Sequence, residues 1–250
     1  MTNKYMYFIA NWKMNGDKKS VNLINNVVKF SKTKKNKKFK IIYCPPYTLL
    51  NLFSNKLKNT KIDLGAQNCH QKEDYGSYTG FISSKMLKNI GAKYIIIGHS
   101  ENRINGETDF LINQKIKASL KNNLKIIFCI GETLIQRKKN RTNKILSKQI
   151  EKGIKGVNKK RNLLIAYEPF WSIGTGLVPK TKDLEKNINF IKDTLKNKYK
   201  LKNSKVIYGG SVNPKNVIDL KKIKTLDGFL VGNASLNAKK FIDIIKKTYN

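Results

Sequence analysis

Apolar residues recur along this chain as short dense runs, separated by longer segments with helical spacing. The runs are Tyr5–Ala10, Phe39–Cys44, Lys61–Ala66, Lys93–Gly98, Lys125–Ile130, Asn162–Tyr167, Lys205–Tyr208 and Gly228–Val231. Their centres are almost continuously apolar, as in Tyr94-Ile95-Ile96-Ile97. Strands covered on both faces read this way, which predicts a parallel sheet. Between the runs, Val21, Ile24, Val27, Val28 and Phe30 form one helical stripe. Leu111, Ile112, Ile116 and Leu120 form a second, and Leu184, Ile188, Ile191 and Leu195 a third. Thr181 suits the N-cap of the third, with Asp183 and Glu185 in its first turn. Asn213-Pro214 reads as an N-cap followed by the first helical position of another helix.

Eight strand–helix units in 250 residues match the size of an α/β fold of the (β/α)8 barrel type, as a single domain over residues 1–250. The competitor is a doubly wound open sheet. It needs a glycine-rich phosphate fingerprint after the first strand, and Asn11-Trp12-Lys13-Met14-Asn15-Gly16 is not one. No run approaches the roughly 20 apolar residues of a membrane-spanning helix. The segment Tyr5–Ala10 is too short for the core of a signal peptide.

Charge raises a second possibility. With 51 basic and 16 acidic side chains the formal net charge is +35, which invites a nucleic-acid partner. The kind of charge argues against it. Only Arg103, Arg137, Arg141 and Arg161 are arginines, leaving 47 lysines spread along the whole chain. Readers of nucleic acid favour arginine for bidentate contacts. The densest run, Lys32-Thr33-Lys34-Lys35-Asn36-Lys37-Lys38, reads as a solvated helix end and loop. A positive field would also concentrate an anionic metabolite. The three cysteines, Cys44, Cys69 and Cys129, are odd in number and form no CxxC pair, so a reducing, cytoplasmic setting is expected. With His70 and His99 the only histidines, no metal site is expected.

Barrels of this kind place their chemistry at the C-terminal ends of the strands. The residues just past the strands are therefore the candidates. They are Asn11-Trp12-Lys13 after the first, Gly98-His99-Ser100-Glu101 after the fourth, Glu168-Pro169-Phe170-Trp171 after the sixth, Gly209-Gly210-Ser211 after the seventh and Gly232-Asn233-Ala234-Ser235 after the eighth. Each has an ordinary reading by itself. Lys13 is one of 47 lysines, His99 could be a satisfied polar residue, Glu168 a salt-bridge partner on the rim, and the glycines simple tight turns. A carboxylate, an imidazole, an ammonium and two small-residue loops on one rim form a chemical set.

At these residues the chain resembles the triosephosphate isomerase family. The resemblance runs through Asn11-Trp12-Lys13-Met14-Asn15, Gly98-His99-Ser100-Glu101, Cys129-Ile130-Gly131-Glu132, the segment from Ala166 to Gly176 and Tyr208-Gly209-Gly210-Ser211-Val212, in order along the chain. It implies interconversion of dihydroxyacetone phosphate and glyceraldehyde 3-phosphate by proton transfer through an enediol(ate), with no cofactor. It implies Glu168 as base, His99 as neutral electrophile, Lys13 as stabiliser of enolate and phosphate charge, Asn11 as a hydrogen-bonding partner of substrate and Glu101 as a supporting carboxylate. The residues after His99, Ser100-Glu101-Asn102-Arg103, suit a helix start whose amides disfavour imidazolium. Backbone amides of Gly174, Ser211, Gly232 and Asn233 would hold the phosphate. Ile173 and Leu230 would exclude water from Glu168. A lid over about Pro169 to Pro179 is implied, with Pro169, Phe170, Trp171, Ser172, Ile173, Gly174, Thr175 and Gly176 at its working end.

A homodimer is implied as well, with the loop from about Asn68 to Phe81 reaching a neighbouring subunit through Thr79 and Phe81. The chain departs from the family pattern at four sites, one of them the conservative apolar change of Phe170 for a valine at the start of the lid. Asn233 stands where glycine is usual, and asparagine tolerates positive φ better than most residues. Phe81 stands for a glutamate and Asn102 for an arginine, so that an acidic and a basic position are both missing. The rivals are another phosphate-binding barrel, of an indole-pathway or pentose-phosphate type, which would lack the Ala-Tyr-Glu-Pro-Phe-Trp segment, and a basic nucleic-acid-binding protein, which would need a reading motif that the chain lacks. No specific nucleic acid and no membrane is expected as a partner.

Overall fold

The computed structural model describes residues 4–33 and 38–249. The middle of the lysine-rich run, residues 34–37, lies outside the described residues. Eight parallel strands close into a barrel in sequence order. They are β1 Met6–Asn11, β2 Phe39–Cys44, β3 Asp63–Ala66, β4 Tyr94–Ile97, β5 Lys125–Ile130, β6 Leu163–Tyr167, β7 Lys205–Tyr208 and β8 Gly228–Val231. The last strand returns to the first through Tyr7↔Gly228 and Ala10↔Val231. Every predicted run contains a strand.

Helices form the outer layer: α1 Ile24–Thr33, α2 Leu50–Leu57, α3 Ser84–Ile90, α4 Ser100–Ile104 and α5 Asp109–Lys121 in the first half. The second half adds α6 Leu134–Lys138, α7 Thr142–Ile154, α8 Thr181–Tyr199, α9 Val217–Leu220 and α10 Ala238–Tyr249. Local chemistry explains several starts. The hydroxyls of Ser83 and Thr108 accept from the amides of Met86 and Leu111, and Thr133 with Gln136 forms a reciprocal capping box. Thr181 departs from expectation. It is the first helical residue of α8, because Lys180 takes the non-helical conformation of the cap and offers no side-chain bond. Asn213 caps a turn rather than the helix itself. Its side chain accepts from the amides of Lys215 and Asn216, and α9 begins at Val217.

Two apolar layers result. The strand residues Phe8, Ala10, Ile95, Ile97, Ile165 and Tyr167 face the helices, while Ile9, Ile42, Ile96, Ile127, Cys129, Leu164, Ala166, Ile207 and Leu230 fill the barrel interior. This alternation with period two decides which residues past each strand end point into the mouth of the barrel. Leu164 and Ala166 face inward, so the next position in phase is Glu168. Ile9 faces inward, so Asn11 follows it, while Trp12 turns outward and packs edge-on against Phe53 with ring centroids 5.0 Å apart.

Candidate active site

One cavity of about 640 Å³ occupies the C-terminal mouth of the barrel. It is lined by Asn11, Lys13, His99 and Glu168, by Leu230 of β8 and, from the segment after β6 and the last two loops, by Ile173, Gly174, Gly176, Ser211, Gly232 and Asn233. Segments from opposite ends of the chain thus meet in one place.

Glu168 sits deepest. It is 1% exposed, and neither carboxylate oxygen has a well-aligned hydrogen-bond partner among the described residues. Its Oε1 lies 3.4 Å from Nε2 of His99. Burial pushes its pKa above the usual carboxylate value, opposed by His99, the Cys129 thiol, Lys13 and the Ser100 amide. A buried, underbonded carboxylate is a stronger base than one in water.

His99 caps α4. Its Nδ1 accepts the Glu101 amide proton at 3.2 Å. A backbone N–H can only donate, so Nδ1 is the acceptor and the neutral ring carries its proton on Nε2, the nitrogen that faces Glu168. The five-residue helix after His99 is the helix start that the sequence suggests.

Lys13 has φ +56°, left-handed for a residue with a side chain. Two bonds hold that strained conformation. The Lys13 amide donates to Oδ1 of Asn11 at 3.2 Å, and Nε2 of Gln67 donates to the Lys13 carbonyl at 2.9 Å. Its ammonium pairs with Glu101 Oε1 at 2.6 Å. Glu101 itself does not line the cavity and is half exposed; it touches the site through Lys13, through its own amide on His99 and through its Oε2, 3.5 Å from His99 Nδ1.

The segment expected to act as a lid leaves β6 through Pro169 and a short helical turn, Phe170–Ser172. Its tip bends at Gly174 and Gly176, whose φ values of +71° and +76° suit glycine. Trp171 is held at both sides. Its Nε1 donates to Glu132 at 3.1 Å, and the Arg137 guanidinium lies 4.8 Å from the ring. Buried Ser172 ties the two lid halves together, because its hydroxyl bonds the Leu177 carbonyl at 2.5 Å and the Tyr208 hydroxyl at 2.8 Å. Its carbonyl accepts from both the amide and the hydroxyl of Ser211. Asn233 does not use positive φ; it begins a 3-10 turn, so its replacement of glycine needs no special backbone there.

Other contributors are hidden in the sequence. Glu132 is fully buried, its pKa pushed up by burial, and it also accepts from Tyr167 at 3.0 Å. Its motif is visible, yet nothing in the residue order reveals that it braces the lid. Lys215 and Lys240 also line the cavity, and in a chain with 47 lysines no local signal marks them. Thr79 and Phe81 lie away from the cavity on an exposed loop. There Phe81 is 62% exposed and packs against His70, with centroids 4.7 Å apart. Arg103 is turned inward, bonding Asp109 at 2.7 Å and the Gly98 carbonyl at 2.8 Å. Among the described residues no cluster of three or more His, Cys, Asp or Glu side chains could hold a metal ion.

Comparison with known proteins agrees with this geometry. The family model described as triosephosphate isomerase matches residues 6–248. The chain is 40% identical to the triosephosphate isomerase of Bradyrhizobium diazoefficiens over 254 aligned positions, covering 98% of this chain and 99% of that one. It is 40% identical to that of Aquifex aeolicus, covering 94% and 96%. The crystal structure of triosephosphate isomerase from Bartonella henselae superposes with a TM-score of 0.89 at 34% identity, covering 98% of this chain and all of that one.

Proposed function

The chain belongs to the triosephosphate isomerase family, and from that premise we propose which of its residues carry the reaction. The reaction is the interconversion of dihydroxyacetone phosphate and glyceraldehyde 3-phosphate, a step of glycolysis and gluconeogenesis, and the enzyme is an isomerase. The proposal concerns the site, the assembly and the setting. The observation that carries it is the approach of Glu168 to His99 at 3.4 Å beside Lys13, in one cavity with the glycine-rich loops.

Glu168 removes the carbon-bound proton next to the substrate carbonyl. The electron pair left behind forms the enediolate, and the proton returns to the neighbouring carbon. His99 donates its Nε2 proton to the substrate oxygens as a neutral acid. A neutral imidazole is matched in basicity to an enediolate far better than a carboxylic acid would be, and triosephosphate isomerases are a standard example of such tuning. Lys13 places fixed positive charge where negative charge grows, with Asn11 beside it. Glu101 is a positioning residue that orients the Lys13 ammonium. The amides of Gly174, Gly232 and Asn233 take the phosphate, joined by that of Ser211 once it is released from the Ser172 carbonyl. Ile173 and Leu230 share the cavity with Glu168 and keep water from it while the lid is down, which protects the enediolate from loss of phosphate.

The working assembly in this reading is a homodimer of one-domain subunits. Tyr75, Tyr78 and Phe81 on the third loop, with Met14 after β1, are exposed apolar side chains that a second copy would cover, Thr79 lying among them. The cytoplasm is the proposed setting, supported by three buried free cysteines. No helix among the described residues is long and apolar enough to cross a membrane. No specific nucleic acid is a partner in this reading, since the lysines are dispersed rather than arrayed. Purified protein should isomerise glyceraldehyde 3-phosphate, and the Glu168→Gln variant should do so slower by orders of magnitude. Activity in neither protein, or equal activity in both, would remove Glu168 from the role.

A further inference from the structure

The end of the barrel opposite the active-site cavity carries a second, smaller cavity of about 330 Å³. It lies where Lys205 begins β7 and Asp227 leads into β8, at the N-terminal ends of the strands. Its floor is the Asp227 carboxylate, which has no solvent exposure. Three ammonium groups approach that carboxylate: Lys192 at 2.6 Å, Lys4 at 3.0 Å and Lys205 at 3.4 Å. The Val206 amide donates to it at 2.9 Å.

Lys196, in the last turn of α8, and Lys202, just past its end, add two exposed ammonium groups to the wall, and Asp193 is the other acid there. Setting Lys4 aside, four cationic side chains face two carboxylates around one concave space. Ammonium groups crowded on a shared carboxylate repel one another, and a concavity with an apolar wall, here Leu201, weakens the screening that water would supply. Single surface lysines relieve such repulsion by extending into solvent. Lys192 is held back by its 2.6 Å bond to the buried Asp227, and Lys205, partly exposed, leans on the same carboxylate at 3.4 Å. An anion with several closely spaced oxygens would relieve it by accepting charge-assisted hydrogen bonds from floor and rim together. The half-open concavity has room for a small ligand.

We propose that this cavity is a binding site for a small multivalent phosphate anion, bridged between Lys192 and Lys205 on the floor and Lys196 and Lys202 on the rim. The test is calorimetric titration of the intact protein with inorganic pyrophosphate at fixed ionic strength. The active-site cavity is kept saturated with glycerol 3-phosphate, which has no carbonyl and cannot isomerise. The expected result is saturable binding of one pyrophosphate per chain. The double variant Lys196→Met/Lys202→Met should weaken it by about tenfold or more, since two charge-assisted contacts are lost. The control variant Lys56→Met/Lys58→Met removes the same charge from exposed positions at the end of α2 and should bind as the unaltered protein does. Absence of saturable binding, full affinity in the cavity variant, or equal weakening in both variants would overturn the proposal, the last because it would trace binding to the overall positive field.

Discussion

Gly209, the first residue past β7, tests how tightly the position of the Glu168 carboxylate is set and whether the proposed role of Glu168 depends on it. A Cβ at this position would lie 2.6 Å from Cγ of Glu168, 2.8 Å from Oε1 and 3.1 Å from Cδ, where ordinary contact begins near 3.4 Å. The deficit at Cγ is therefore about 0.8 Å. The φ of Gly209 is not in the left-handed region, so alanine is sterically foreign only through that contact. Neither backbone can easily retreat, because the Gly209 amide bonds the Tyr167 carbonyl at 2.9 Å and the Glu168 amide bonds the Ile130 carbonyl at 2.8 Å. The carboxylate must swing. A misplacement near 1 Å costs about a hundredfold in rate, and overpacking of this kind costs about 1–3 kcal/mol in stability. For a chain of this length that lowers Tm by about 2–12 °C. Gly209→Ala should thus keep its circular dichroism spectrum, melt several degrees lower and lose about two orders of magnitude in kcat. A folded variant whose kcat stays within about threefold of the parent would show that the rate does not depend on where Glu168 sits.

Four further outcomes are expected. Glu168→Gln should lower kcat by about 10²–10⁴ and yet raise Tm at neutral pH. The folded pKa of Glu168 is raised by burial, so its contribution to stability is complete below the unfolded carboxylate pKa and is lost as pH rises through the folded value. The stability gap between variant and parent should close as pH falls through that window, and a variant less stable than the parent at every pH would contradict the desolvated placement. Activity in the parent should begin to fall, on acidification, at a higher pH than an ordinary carboxylate would give. Lys13→Ala should raise KM and lower kcat by about 10²–10³, whereas Lys148→Ala, exposed on α7, should leave both unchanged; matching effects would reduce Lys13 to a share of the bulk charge. Dimer dissociation, followed by light scattering, should increase as salt is removed, because screening extends over about 8 Å at physiological ionic strength and about 30 Å at 0.01 M while each subunit carries +35. A stable, fully active monomer at low salt would defeat the assembly proposal.

The order of residues by itself determined the strands, their parallel pairing class and the rim on which the candidate residues gather. Burial on two faces forces nearly unbroken apolar runs, and a period of two then carries Asn11 and Glu168 into the mouth once Ile9 and Ala166 face inward. These are local constraints, so they are written locally. The start of α8 was less legible, because which residue takes the non-helical cap conformation depends on how the lid delivers the chain to Lys180.

Only the closed barrel decided the distances. The 3.4 Å between His99 and Glu168, the hold of Glu132 and Arg137 on Trp171, and the crowding of three lysines on Asp227 join positions far apart in the chain. Lys215 and Lys240 belong to the same class: a lysine beside a cavity and a lysine in open water have the same kind of neighbours in sequence. Desolvation, which raises the basicity of Glu168, is a property of the space around a group, and that space exists only after the last strand has paired with the first.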